Sequence, residues 1–121
     1  MGELHNAELA NKVMFIIKKN LNREKCLLEV DSVFSEDYPN YKGVFKEQIG
    51  MSLKNYMNRA RMSEAEKLLE TTTLDLKEVA KAVGINGYFE FTQLFKRLMG
   101  VTPSGYRNQM FKVHVSPTDN G

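Results

Sequence analysis

Apolar side chains recur along this chain every three or four residues, the spacing of one helix face, and no segment alternates convincingly like a half-buried strand. Leu9, Val13, Ile16, Ile17 and Leu21 predict a helix over 7–21, with Met14 and Phe15 widening its apolar face toward the core or toward an absent domain. Leu27, Val30 and Phe34 carry the period into a second helix that opens near Cys26. Asp37 is placed to cap the third, Pro39 falls in its first turn, where a missing N–H costs little, and Tyr41, Val44, Phe45 and Ile49 form its buried stripe. From Ser52 to Glu70 there is no Gly or Pro. Leu53, Tyr56, Met57, Ala60, Ala65, Leu68 and Leu69 predict one long helix there, capped by Ser52 and broken by Thr71-Thr72-Thr73. Leu76, Val79, Ala80 and Val83 then predict a helix with Gly84 as its left-handed stop, and Asn86-Gly87 continues the turn. Phe91, Leu94, Phe95 and Leu98 line the next helix, which ends at Gly100. Thr102-Pro103 opens a last short helix through Tyr106 and Arg107, and from Val113 onward the chain reads as a frayed tail.

The pattern repeats. The run Val44-Phe45-Lys46-Glu47-Gln48-Ile49-Gly50-Met51-Ser52 returns 50 residues later as Leu94-Phe95-Lys96-Arg97-Leu98-Met99-Gly100-Val101-Thr102, and Tyr56 then matches Tyr106. Upstream the offset shortens by one, so that Leu27, Val30 and Phe34 correspond to Leu76, Val79 and Val83. Each copy reads as helix, tight turn, helix. The expected fold is therefore all-α, about seven helices: an N-terminal helix and first helix-turn-helix over 5–51, a connecting helix over 52–70, a second helix-turn-helix with a C-terminal helix over 74–112, and a tail over 113–121.

Composition narrows the function. Length fits about one domain, and 42% hydrophobic with 26% charged residues is ordinary for a chain that folds. The net charge of +2 is mild, but between Asn86 and Lys112 Lys96, Arg97, Arg107 and Lys112 stand against Glu90 alone. The single Cys26, read as a semi-buried side chain near a helix start, excludes an intrachain disulfide, and His5 and His114 lie far apart without clustered ligands, so no metal or cofactor is expected. No apolar run is long enough to span a bilayer and no signal peptide opens the chain, which predicts a cytoplasmic protein. No nucleophile, base and orienter share a spacing that suggests an enzyme.

One helix-turn-helix unit is equally a piece of a plain helical bundle, and a protein-interaction module is the alternative function. Duplication favours DNA, because two outward-facing second helices one duplex turn apart can enter successive major grooves, here with recognition helices over 38–49 and 87–98. The second copy, Val79-Ala80-x-x-Val83-Gly84 through Phe91-x-x-x-Phe95-Lys96 to Gly100-Val101-Thr102-Pro103-Ser104-x-Tyr106-Arg107, resembles the signature of the AraC/XylS family of transcription regulators. Tyr56, Arg61, Ala65, Leu68 and Leu69 extend the likeness along the connecting helix, and it covers Ala7 to Arg107. The resemblance implies promoter DNA as partner, activation or repression of transcription with RNA polymerase as a further partner, and a separate effector, dimerisation or receiver domain. The N-terminal helix is most similar to those of members serving as response-regulator output domains.

Outward positions give the candidate contacts. Asn40, Lys42 and Gly43 on the first recognition helix, and Phe89, Glu90, Thr92 and Gln93 on the second, are the candidate base readers: Gln pairs with adenine, Glu accepts from cytosine and an apolar ring meets a thymine methyl. Phe89 is equally placed for the core, with Tyr88 competing for the buried side, and Glu90 also reads as a surface charge favoured by a helix N-terminus. Lys25, Lys46, Lys96, Arg97 and Arg107 are the candidate phosphate contacts, whereas Arg61 reads as structural. The first copy departs from the second by placing Asp31 where Ala80 stands and Ser35 where Gly84 stands. Asp31 must then reach solvent or a hydrogen-bond partner, and the first unit is expected to contact phosphate more than bases.

Overall fold

A computed structural model describes the backbone of residues 4–119 and the side chains through Phe111. It is all-helical among those residues: α1 Asn6–Lys19, α2 Cys26–Phe34, α3 Tyr41–Ile49, α4 Leu53–Thr71, α5 Leu76–Ala82, α6 Tyr88–Met99 and α7 Pro103–Asp119. The chain divides into two compact units, residues 1–60 and 61–121, so that the division falls within α4.

In the first unit the predicted stripes converge on one core: Leu9, Val13 and Ile17 from α1, Cys26, Val30 and Phe34 from α2, Tyr41 and Phe45 from α3, and Leu53 and Met57 from α4. Met14 packs partly against it, while Phe15 is 64% exposed. The Cys26 thiol is fully buried and donates to the Ile17 carbonyl at 3.5 Å. α3 starts later than expected. Ser35 stays right-handed, with φ −61°, and the chain turns through bonds from the Tyr38 amide to Phe34 O (2.8 Å) and from the Tyr41 amide to Tyr38 O (2.9 Å). Pro39 thus occupies this turn rather than the first turn of α3, where its fixed φ is equally at home. Asp37 does not cap α3, because a cap must immediately precede the helix and that position belongs to Asn40. Ser52 does cap α4, accepting from the Asn55 amide at 3.2 Å.

The second unit buries Met62, Ala65 and Leu69 from α4, Val79 and Ala80 from α5 with the following Val83, and Phe91 and Phe95 from α6. Asp75 and Glu78 close a capping box at the start of α5: the Glu78 amide donates to Asp75 Oδ1 at 2.8 Å and the Asp75 amide to Glu78 Oε1 at 3.0 Å. At its end Gly84 takes φ 87°, and amides of Ile85 and Gly84 reach Ala80 O (2.9 Å) and Lys81 O (3.0 Å), a Schellman stop that a Cβ would strain. Thr102 Oγ1 accepts from the Gly105 amide at 3.1 Å and so opens α7 just ahead of Pro103. α7 corrects the sequence reading: it is not short, and the tail expected from Val113 is helical through Asp119. No Gly or Pro separates Tyr106 from Ser116, so nothing in the backbone stops the helix where it was expected to fray.

Candidate nucleic-acid interface

Each unit buries the apolar stripe of its second helix and turns the opposite face to solvent. On α3, Phe45 is fully buried and Tyr41 nearly so, which leaves Lys42, Gly43 and Lys46 exposed on the other side. Asn40 is exposed at the N-cap of α3 with no side-chain capping bond, and Lys25 holds the same kind of position at α2. Lys42, Gly43 and Lys46 line one open recess of about 400 Å³ together with Leu27, Leu53 and Lys54.

On α6, Phe91 and Phe95 fill the core side, with ring centroids 5.9 Å apart. Phe89, Gln93 and Lys96 fall at i, i+4 and i+7, one exposed stripe, flanked by exposed Glu90 and Arg97. Phe89 is 73% exposed, so the choice left open between groove and core resolves toward solvent. Tyr88 is at the edge of exposure and does not displace it. Glu90 folds back toward its own helix start: a Cβ placed on Gly87 would collide with Glu90 Oε1.

Two expected contacts do not face outward. Thr92 is half-buried, and its Oγ1 is buried without a hydrogen-bond partner among the described residues, because Thr92 lies one residue from Phe91 and three from Phe95, on the flank of the buried stripe. Arg107 is occupied within the fold. Its Nε donates to Leu69 O at 3.2 Å, Nη1 to Leu74 O at 2.5 Å and Nη2 to Thr72 O at 3.2 Å, holding the turn between α4 and α5. A guanidinium offers five donors in a fixed fork, and the loose carbonyls of a helix end are a natural target for them. Arg61, 5% exposed, is buried as a structural arginine should be. Beside Arg107, Tyr106 Oη donates to Glu70 Oε2, and this carboxylate, burial and Glu66 push the phenol's pKa far above the ordinary range.

Asp31, the departure singled out in the first unit, has its partner: Tyr41 Oη donates to Asp31 Oδ1 at 2.7 Å. Burial and the adjoining carboxylate hold the Tyr41 phenol strongly in its neutral form. Sequence reasoning missed this bond and the capping box of α5, although Asp75-x-x-Glu78 before an apolar run is a readable signal for the latter. Among the described residues no cluster of acidic, His and Cys side chains could hold a metal, and no helix is long and apolar enough to cross a membrane.

A family model described as a helix-turn-helix domain matches residues 40–109. The transcriptional activator RhaR of Yersinia pseudotuberculosis is 32% identical over 79 residues, covering 65% of this chain and 27% of that protein. Two other curated relatives are matched over 32% and 37% of their length, so the chain spans about a third of such proteins. The C-terminal domain of AraT, a response regulator from Geobacillus stearothermophilus, superposes with a TM-score of 0.78 at 26% identity, covering 84% of each chain. The DNA-binding domain of AdpA, solved with a target DNA, shares the fold at a TM-score of 0.77 and 19% identity over 88% of this chain and 96% of that one.

Proposed function

The chain belongs to the AraC/XylS family of helix-turn-helix transcription regulators, and from that membership we propose how it reads DNA: α3 and α6 each enter a major groove, with unequal shares of the recognition. The family is one of DNA-binding regulators rather than enzymes. The observation that carries the reading is the repeated exposure of a polar second-helix face over an apolar core, Lys42-Gly43-Lys46 in one unit and Phe89-Gln93-Lys96 in the other.

Gln93 is the sharpest base reader, with Glu90 beside it at the start of α6, Phe89 meets a thymine methyl, and Asn40 and Lys42 are the readers on α3. Lys25, Lys46, Lys96 and Arg97 neutralise phosphates; Arg107 and Thr92 leave the contact set because the fold engages one and buries the other. The likeness to the AraT C-terminal domain supports a role as the output domain of a longer response regulator, acting in the cytoplasm at a promoter with RNA polymerase as its second partner.

Selection of bound sequences from a random duplex pool, followed by titration of the selected duplex at several salt concentrations, tests the reading. Four phosphate-neutralising side chains predict a log–log slope of roughly −3.6, at about −0.9 per phosphate. A slope near zero, or no sequence enrichment, would overturn it.

A further inference from the structure

Three residues, Lys42 and Gly43 within α3 and Lys54 just after it, cost the fold stability and gain nothing within it. Gly43 is the third of the nine residues of α3, and its backbone is not among the positive-φ glycines. A Cβ built there would meet nothing within 4 Å, so neither conformation nor crowding calls for glycine, while glycine inside a helix is less stable than alanine. Lys54 is the second residue of α4 and Lys42 the second of α3, cations set at the positive ends of helices that carry no acidic residue in their first turn. Neither they nor Lys46 enters an ion pair among the described residues. All four residues line the same recess of about 400 Å³, together with Leu27 and Leu53.

Local choices that oppose the fold mark places where something outside the fold is served. We propose that this recess seats a stretch of one DNA sugar-phosphate strand, a deoxyribose resting on Leu27 and Leu53 while Lys46 and Lys54 hold the phosphates around it. A strand alternates apolar sugar with anionic phosphate, which matches a lining that combines apolar side chains with cations. A small amphipathic carboxylate would fit the apolar lining but bring one charge to three ammonium groups. Gly43 keeps the α3 backbone bare so that the strand can approach closely. The proposal rests on the DNA-reading function and adds Lys54, Leu27 and the reason for Gly43 to it.

The test uses the full chain with two variants, Gly43→Leu and Lys54→Ala, measured by fluorescence anisotropy on the selected duplex and on a scrambled one. Gly43→Leu fills the recess with a good helix former. It should melt at the same temperature as the unsubstituted chain or higher, yet bind both duplexes about tenfold or more weakly, the size of loss a displaced set of phosphate contacts gives. Lys54→Ala should melt no lower, keep the base preference, and make the salt slope shallower by about 0.9. Unchanged affinity and slope in both variants would overturn the seat while leaving DNA reading intact, as would a Gly43→Leu variant that altered base preference rather than overall affinity. Failure of the unsubstituted chain to bind either duplex would instead sink the DNA reading itself, and the seat with it.

Discussion

Where the second unit sets Ala80 against the start of its recognition helix and buries Phe91, the first sets Asp31 and Tyr41. Both solutions are buried: Phe91 is fully covered and Tyr41 is 1% exposed. The second relies on packing alone, whereas the first ties α2 to α3 by one directional bond of 2.7 Å. Around this difference the framework is held in common. The Phe45–Tyr56 rings meet edge-on at 5.5 Å, and Phe95–Tyr106 do so at 5.8 Å. Gly50 and Gly100 both close their helices with a left-handed residue. The helix starts diverge again: Lys25 precedes α2 and Lys42 opens α3, while in the second unit Asp75 and Glu78 close the start of α5 and Glu90 lies over the start of α6. A duplicated scaffold has thus kept its aromatic joints and changed the charge at the start of its second helix, Lys42 in the first turn of α3 against Glu90 in that of α6. A cationic surface grips phosphate, and a neutralised one leaves its polar side chains to discriminate bases.

The largest effect should come from breaking the clamp that only the second unit has. Arg107 corresponds to Met57, an apolar core residue of the first unit. Arg107→Met should lower the unfolding free energy by about 3 kcal/mol in a urea titration, since three charge-assisted bonds go and the 69–74 carbonyls lose their donor. An unchanged midpoint would show the clamp to be idle.

Next in size is the division of reading. Gln93→Ala should cost on the order of 1–3 kcal/mol on the selected duplex and relax preference at one base pair, whereas Lys96→Ala should weaken all sequences alike. Asn40→Ala should relax less. The selected consensus should hold one strongly constrained block and one tolerant block; equal information in both, or the stronger block footprinting to α3, would erase the functional side of the comparison.

The smallest effect sharpens the polar side of it. Tyr41→Phe leaves the Asp31 carboxylate partly buried without its donor and should cost about 1–2 kcal/mol. Adding Asp31→Ala, which recreates the Ala80–Phe91 arrangement, should recover most of that loss, a coupling of about 1 kcal/mol. The sign with pH follows from the raised Tyr41 pKa: the stabilisation is whole below the ordinary phenol value near 10 and is lost as pH climbs through the raised one. Tyr41→Phe should therefore flatten the alkaline decline without removing it, because Tyr106 is shifted the same way. A decline as steep in the variant as in the parent would mean the phenol is not linked to folding.

Much of this was legible beforehand because helices announce themselves by period and by their stops. Gly84 and Gly100 marked two helix ends that the structure closes with left-handed residues, and the mismatch of Asp31 flagged a side chain that had to reach either solvent or a partner, the second of which it finds in Tyr41. What failed was detail that depends on distance in space. The charge of Arg107 cannot say that carbonyls more than 30 residues back in the chain await it. The polarity of Thr92 suggested exposure, while its place on the wheel beside Phe91 and Phe95 decided otherwise. Asp37 looked like a cap because caps are short-range signals, but the backbone bonds of the 34–41 turn moved the helix start beyond its reach.

The Asp31–Tyr41 bond also sets the size of the piece that can be moved between the two halves. Carrying the α6 reading surface into the first position, to build a chain that reads one half-site twice, would bring Phe91 in place of Tyr41 and strand Asp31. The transferable module is therefore the recognition helix together with one residue of the helix before it, and a graft that moves the helix alone should fold less well than either parent half for a reason that has nothing to do with DNA.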